Sequence, residues 1–238
     1  MPPESVLNGH LFNHIVCADY MVLLASSPNA LQKLLDICES YAKEHDILYS
    51  VKKSKCMIVK PKVFKDIDVP SFYLNNKSLK CVTSYTYLGV EITDDLSDSQ
   101  DIGRQKSAIY ARGNSLIRKF SVTTVDVKVQ LFKSYISTFY CASLWNHYSI
   151  RSDYNRAVIA YKRIFRNLFS IKEGSITGYM VRLGCNPFDV VVRKSACSLN
   201  RRISESENSL LNVMFNSLYF CYSSLACKWR DRLLVNPR

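Results

Sequence analysis

Residues 11–25 place two apolar runs on either side of a short polar centre, in the order Leu-Phe-Asn-His-Ile-Val-Cys-Ala-Asp-Tyr-Met-Val-Leu-Leu-Ala. Each run is long enough for a buried strand, and Ala18-Asp19 suits a tight turn between them. The pattern therefore predicts a β-hairpin that carries the Asp19 carboxylate at its tip.

A helix is predicted directly after this hairpin, because Ser26-Ser27-Pro28 offers a capping side chain and a proline suited to the first helical turn. The apolar positions that follow recur at three- and four-residue spacing, which is typical of an amphipathic helix packed on a sheet. These positions are Leu31, Leu34, Leu35, Cys38, Tyr41, Ala42 and His45.

Short strand signals continue as far as about residue 95. A basic turn at 51–55 separates the first two strands, and Asn75-Asn76, which tolerate positive φ, predict a second hairpin. The last predicted strand contains Gly89. In order, the predicted strands are 47–49, 56–59, 72–74, 79–82 and 85–92.

Helical periodicity replaces the strand signals from residue 99 onward. The first predicted helix has the inward positions Ile102, Ile109, Leu116 and Phe120. The second is capped by Thr123-Thr124, and its inward positions are Val125, Val129, Phe132, Ile136, Phe139 and Ser143. The third is capped by Ser152-Asp153, and its inward positions are Ala157, Tyr161, Ile164, Phe165 and Leu168. A short helix between Gly174 and Gly184, a helix from Pro187 to Arg202 and a last helix over 208–229 complete the prediction. The fold class expected is α+β, with a sheet-bearing region at 1–95 and a helical region at 96–238.

Composition places the chain among globular proteins. Hydrophobic residues make up 47% and charged residues 22%, and there are only seven glycines and seven prolines. No apolar run is long enough to span a bilayer, and the first residues do not resemble a signal peptide, so we expect an intracellular protein of the cytoplasm or nucleus that is not secreted and has no membrane partner. The nine cysteines include no Cys-x-x-Cys pair, which favours reduced core thiols over zinc.

The net charge of +12 is unevenly distributed along the chain. Residues 1–50 carry two Lys/Arg against six Asp/Glu, residues 51–120 carry thirteen against seven, and residues 121–238 carry seventeen against seven. Basic residues that contact phosphates release counterions and bind without reading sequence, so RNA or DNA backbone is the natural partner. An ordinary solvated basic surface would give the same totals.

Three short motifs give this order of elements a family resemblance. Cys17-Ala18-Asp19-Tyr20, followed by Met-Val-Leu-Leu-Ala-Ser-Ser, resembles the Tyr-Ala-Asp-Asp box of reverse transcriptases, in particular those of non-LTR (LINE-like) retrotransposons. Lys53-Ser54 and Tyr87-Leu88-Gly89 resemble two later motifs of that family, and the resemblance extends from about Gly9 to Trp145. It implies a partial polymerase palm, made of a hairpin, a helix and short antiparallel strands, followed by a thumb-like helical region.

Two departures from the box limit what this resemblance implies about chemistry. Cys17 replaces the tyrosine and Tyr20 replaces the second aspartate, so Asp19 is the only carboxylate left as a catalytic residue or metal ligand. The family uses Mg²⁺, and two-metal nucleotidyl transfer needs several convergent carboxylates, so we expect no stable Mg²⁺ binding here. Because only eighteen residues precede Asp19, we expect the earlier catalytic strand and the fingers to be missing, which makes an upstream polymerase segment a candidate partner.

The resemblance and the charge pattern together mark candidate binding residues. Lys53 is a candidate phosphate contact, and a basic helical face is interleaved with Tyr161 and Phe165. The full nucleic-acid-binding set is Lys52, Lys53, Lys55, Tyr87, Gly89, Arg156, Lys162, Arg163 and Arg166. A solvated basic turn and a solvated helix face are the alternative explanations.

The function expected is that of a truncated, degenerate reverse transcriptase (RNA-directed DNA polymerase) domain of a non-LTR retrotransposon, without independent polymerase activity. Two alternatives stay open at this point. One is a non-catalytic nucleic-acid-binding module, and the other is a folded remnant without function.

Overall fold

The computed structural model describes residues 6–7, 10–59, 70–140, 142–145 and 151–234. Two compact units divide the chain: one is made of Met1–Tyr85 with Thr93–Leu96, and the other of Thr86–Ile92 with Ser97–Arg238. The described residues form ten short β-strands and nine α-helices, so the fold is a mixture of helix and strand, as the α+β prediction required.

Two small antiparallel hairpins lie near the start of the first unit. The first pairs β1 (Val6–Leu7) with β2 (His10–Leu11), and the second pairs β3 (His14–Cys17) with β4 (Tyr20–Leu23). Cys17 is opposite Tyr20, so Ala18 and Asp19 form a two-residue turn, in which Ala18 has a φ of 52°. The predicted hairpin and the position of Asp19 at its tip are confirmed.

The prediction that the strands of this hairpin are buried is wrong. Ile15 is 41% exposed, Val16 58% and Tyr20 48%, whereas Leu23 packs against the core of the unit. Among the described strands, β3 and β4 pair only with each other, so no wider sheet covers their faces. An apolar run indicates that a strand can be buried, but the neighbouring elements decide whether it is.

Helix α1 (Pro28–Glu44) begins where the capping pattern predicts. The Ser27 Oγ accepts a hydrogen bond from the Ala30 amide at 3.3 Å, and Pro28 occupies the first turn. Leu34, Leu35 and Ala42 are buried on its inner face. Tyr41 and His45, which the periodicity assigned to that face, are instead exposed and stack on each other with ring centroids 4.0 Å apart.

Four very short strands complete most of the first unit: β5 (Lys55–Cys56), β6 (Tyr73–Leu74), β7 (Lys77–Ser78) and β8 (Lys80–Cys81). Strands β6 and β7 form the second predicted hairpin, and both turn residues, Asn75 and Asn76, have positive φ. Strands β5 and β8 pair in parallel, which corrects the expectation of antiparallel strands throughout. Residues 47–49 are loop and not the predicted strand.

The segment 85–92 is a hairpin and not the single strand predicted. Strand β9 (Ser84–Tyr87) pairs with β10 (Val90–Thr93) across a turn at Leu88 and Gly89, whose φ angles are 45° and 81°. Gly89 therefore provides a positive-φ turn residue. The continuous apolar pattern concealed this turn because Leu88, a poor turn residue, occupies its first position.

The second unit is mainly helical. Its helices are α2 (Ser99–Phe120), α3 (Val125–Leu131), α4 (Arg151–Leu168), α5 (Ile176–Arg182), α6 (Phe188–Ser204), α7 (Ser209–Phe215), α8 (Leu218–Cys221) and α9 (Ser224–Leu234). A π-helical turn at Phe132–Ile136 follows α3, and a 3₁₀ turn lies at Ala142–Leu144. The predicted inward positions of the third helix are all buried: Ala157, Tyr161, Ile164, Phe165 and Leu168.

Three of the predicted helix starts or ends are wrong. Thr124 precedes α3, but its side chain makes no capping hydrogen bond, and Val125, predicted to face inward, is 52% exposed. Helix α4 already includes Arg151, so Ser152 and Asp153 lie in its first turn and do not cap it. The last predicted helix is three helices, because Ser217 and Ser223 accept hydrogen bonds from the amides of Phe220 and Ala226 and so begin new helical segments.

Candidate nucleic-acid interface

The first unit contains an open cleft of about 650 Å³ with lysines on its walls. Its lining comes from the loop at 48–52, from β5, from the β6–β7 hairpin and from β8. The lining residues are Leu48, Tyr49, Ser50, Val51, Lys52, Lys55, Asn75, Lys77, Ser78 and Lys80.

Strand pairing brings these lysines together from distant parts of the chain. The parallel register of β5 and β8 places Lys55 directly opposite Lys80. The Asn75-Asn76 turn reverses the chain so that Lys77 lies opposite Leu74, a buried core residue that anchors this hairpin. Lys52 follows in the loop before β5, and its carbonyl oxygen accepts a hydrogen bond from Lys55 Nζ at 2.8 Å.

The charge of the cleft is uncompensated within the described part of the chain. No acidic side chain is among the described residues that line it, and none of its four lysines forms an ion pair with a described residue. Glu39, the carboxylate that binds the Asn75 amide at 2.9 Å, is paired with Lys43 at 2.7 Å. Hydrogen bonds from Lys43 and Asn75 lower the pKa of Glu39. Four like charges at one opening create a positive potential that attracts anions.

Lys53, the residue predicted to contact phosphate, is exposed but is not part of the cleft lining. Its amide donates to the Ser50 carbonyl oxygen at 3.0 Å, as does the Ser54 amide at 2.9 Å. These two bonds close the basic turn and direct the chain into β5. The structure therefore brings Lys52 and Lys55 of the predicted turn into the cleft and leaves Lys53 beside it.

Asp19 lies on the exposed hairpin turn described above. Within the described residues, no group of three or more His, Cys, Asp and Glu side chains is placed to hold a metal ion. A two-metal centre requires several carboxylates around both cations. The described residues do not fit a Mg²⁺ site of that kind.

Tyr87 and Gly89 contribute to the β9–β10 hairpin and not to the cleft. The Gly89 carbonyl oxygen accepts a hydrogen bond from Arg104, which also pairs with Asp101. A Cβ atom at Gly89 would lie 2.8 Å from Tyr140 Cε1, so the ring of Tyr140 covers this position. The group that approaches Gly89 closely is therefore the side chain of Tyr140.

The basic residues of α4 lie on its outer side. Arg163 and Arg166 are exposed, Lys162 is half-buried, and Arg156 pairs with Asp153 at 3.2 Å. The interleaved aromatic rings point the other way: Tyr161 and Phe165 are fully buried. The Tyr161 hydroxyl donates to the Asn186 carbonyl oxygen at 2.9 Å and lies 2.8 Å from Ser137 Oγ. These aromatics stabilise the core and are not available for stacking on a base.

Two of the four cleft lysines, Lys52 and Lys55, were predicted from the sequence, and none of the other lining residues was. Lys77, Lys80, Leu48 and Tyr49 were not among the candidate residues, although Lys77 and Lys80 lie directly after the predicted Asn75-Asn76 turn. Treating that hairpin as a lysine-bearing arm would have suggested Lys77 and Lys80, but not the parallel pairing that places Lys80 beside Lys55.

Comparison with protein-family models, curated proteins and solved structures found no match to this chain. Within the described residues, none of the helices combines the length and apolar character needed to cross a membrane.

Proposed function

We propose that this chain is a degenerate relative of the polymerase region of non-LTR reverse transcriptases that binds RNA or DNA backbone without transferring nucleotides. The first unit then corresponds to part of a palm and the helical unit to a thumb. The observation that carries the binding proposal is the cleft lined by Lys52, Lys55, Lys77 and Lys80, in which no acidic residue is among the described lining residues.

The magnitude of this contribution follows from counterion release. If each lysine neutralises one phosphate of a single strand, the four together give a slope of log affinity against log salt of about −2.8. Raising the salt from about 50 to about 200 mM would then weaken that part of the binding about 50-fold. This electrostatic contribution does not require any base to be recognised.

The test is a binding titration by fluorescence anisotropy over that salt range. We expect replacement of the four cleft lysines by glutamine to reduce the magnitude of the salt slope by about 2 to 3. The matched control replaces four lysines outside the cleft, which are Lys33, Lys106, Lys119 and Lys172, and changes the net charge equally. Equal losses in the two variants, or no binding of the wild-type chain at low salt, would refute the proposal.

The absence of catalysis has its own test. We expect no magnesium-dependent primer extension, because two metal ions need several carboxylates and none is grouped with Asp19 among the residues that the structure describes. Synthesis that is abolished by Asp19→Asn would overturn this part of the proposal.

The outer side of α4 offers a second candidate surface for the same partner. Arg163 and Arg166 are exposed there, and Arg166 lies in the last turn of the helix. We expect Arg163→Ala with Arg166→Ala to weaken binding less than the four-lysine variant does. The reverse ranking would assign the main interface to α4.

A further inference from the structure

Three apolar or aromatic residues, Leu48, Tyr49 and Val51, form one edge of the lysine cleft, here called the lip. Phosphate binding alone does not explain an apolar edge. Leu48 is 88% exposed although it lies directly before Tyr49 in the lining. Tyr49 and Val51 are half-buried, and their inner sides pack against the core cluster that contains Leu35 and Cys56. The lip is therefore supported from behind while Leu48 extends into solvent.

A nucleic acid strand presents two kinds of surface, charged phosphates and apolar base faces. In a duplex the base faces are stacked on one another and only phosphates and groove edges are accessible, whereas in a single strand the bases can turn outward. A positively charged groove with an aromatic side chain is the arrangement that binds single strands without sequence preference. The lysines on the walls of the cleft match the phosphates, and Leu48 and Tyr49 at the lip match the base faces.

We propose that the cleft binds a single-stranded segment of nucleic acid, with phosphates at the four lysines and one base on Leu48 and Tyr49. This inference rests on the proposed function, because it takes binding of nucleic acid at the cleft as given. It adds that the site selects single strands over duplexes.

The size and charge of the cleft agree with this occupant. The cleft is open, and its volume of about 650 Å³ lies in the range of ligand-binding sites. Burial raises the pKa of Tyr49, with further contributions from Cys38 and Tyr41, so its hydroxyl, which is uncharged at neutral pH, also stays uncharged at higher pH.

The experiment compares three ligands of equal length, about 12 nucleotides, by anisotropy at low salt. They are a single strand, the same strand with all bases removed, and a duplex. We expect the base-bearing strand to bind about 5- to 140-fold more tightly than the abasic strand, since one stacked base contributes that much. Both DNA and RNA single strands are tested, and binding of either kind supports the inference.

Variants at the lip locate the effect. We expect Tyr49→Leu to bring the affinity for the base-bearing strand close to that for the abasic strand, whereas Tyr49→Phe retains the difference. Because Tyr49 also packs on the core, Leu48→Ser serves as the variant without a folding cost and should weaken base-bearing binding about threefold or more. Val122→Ser, at a site 95% exposed in the other unit, is the control and should change nothing.

The outcomes separate this inference from the proposed function. If no ligand binds, the proposed function fails. If the duplex and the abasic strand bind as tightly as the base-bearing strand, or if Leu48→Ser and a folded Tyr49→Leu variant retain the preference for bases, the single-strand inference fails while backbone binding stands.

Discussion

Gly113 and Gly103 lie in the same helix, α2, but their surroundings differ completely. A Cβ atom at Gly113 would lie 2.5 Å from Ile164 Cγ2 and 2.6 Å from Ile164 Cδ1, on the neighbouring helix α4. A Cβ atom at Gly103 would meet no atom within 4 Å. The same substitution at these two sites therefore tests how closely α2 and α4 pack.

The expected free energies follow from two terms. Replacing a helical glycine by alanine stabilises a helix by about 0.8–1.0 kcal/mol through backbone entropy, and this term is the same at both sites. At Gly113 this stabilisation is opposed by overpacking, because non-bonded carbon atoms are most stable about 3.5–4.0 Å apart. Ile164 cannot easily move away, since it is 1% exposed and its β-branched side chain has few allowed rotamers. Overpacking of this kind costs about 1–3 kcal/mol.

We therefore expect Gly103→Ala to raise the unfolding temperature and Gly113→Ala to lower it or leave it unchanged. The difference between the two variants isolates the steric term, about 1–3 kcal/mol, which corresponds to about 2 to 12 °C for a chain of this size. Thermal unfolding followed by far-ultraviolet circular dichroism measures it. Equal stabilisation by both substitutions would refute the close packing of α2 on α4.

A double-mutant cycle identifies the partner. Ile164→Ala alone should cost about 2–5 kcal/mol, since it leaves a cavity in the core of the helical unit. With Gly113→Ala present, the new methyl group occupies part of that cavity, and the overpacking cost disappears. The double variant should therefore be more stable than the sum of the single changes by about 1–3 kcal/mol. Simple additivity would show that the two residues are not in contact.

Three further substitutions give expected outcomes in urea unfolding. Asp101→Asn should lower the free energy of unfolding by about 2–3 kcal/mol, because this carboxylate is 2% exposed and accepts hydrogen bonds from Trp145 at 2.8 Å and Arg104 at 2.6 Å. The control is Asp153→Asn, which changes a more exposed ion pair and should cost less than about 1 kcal/mol. Asn76→Val should cost about 1–2 kcal/mol, since Asn76 has a φ of 57°, and Asn76→Gly should cost nothing. Burial raises the pKa of the Cys56 thiol from 9.0 to about 11, so between pH 9 and 11 this thiol ionises only in the unfolded chain. The free energy of unfolding should therefore fall as the pH rises from 9 to 11, and the fall should be smaller in Cys56→Ala.

Local signals were sufficient for the elements whose ends are set by their own residues. Ser27 and Pro28 fixed the start of α1, and Asn75-Asn76 fixed the β6–β7 turn, because capping and positive φ depend on the residues themselves. The inward face of α4 followed from helical periodicity alone.

Sequence patterns gave wrong predictions where a packing neighbour or a competing hydrogen bond decides the local structure. Leu88-Gly89 forms a turn inside a continuous apolar pattern, with Tyr140 lying over Gly89. Ser217 interrupts a helical stripe by capping the segment that follows it. The exposure of the β3–β4 hairpin depends on what packs against it, which periodicity does not encode.

The candidate site illustrates the same division between local and tertiary information. The basic turn at 51–55 was visible in the sequence, and so were the arginines of α4, but a count of charges cannot tell a compensated surface from an uncompensated one. In the structure, Arg156 has Asp153 as a partner one helical turn away. Lys55 instead faces Lys80, another cation, across a parallel strand pair. Like charges in register are unfavourable for folding alone, by up to about 1 kcal/mol per pair. A bound polyanion would offset that repulsion, and for this reason we propose the cleft, and not the more basic helical unit, as the binding site for a phosphate backbone.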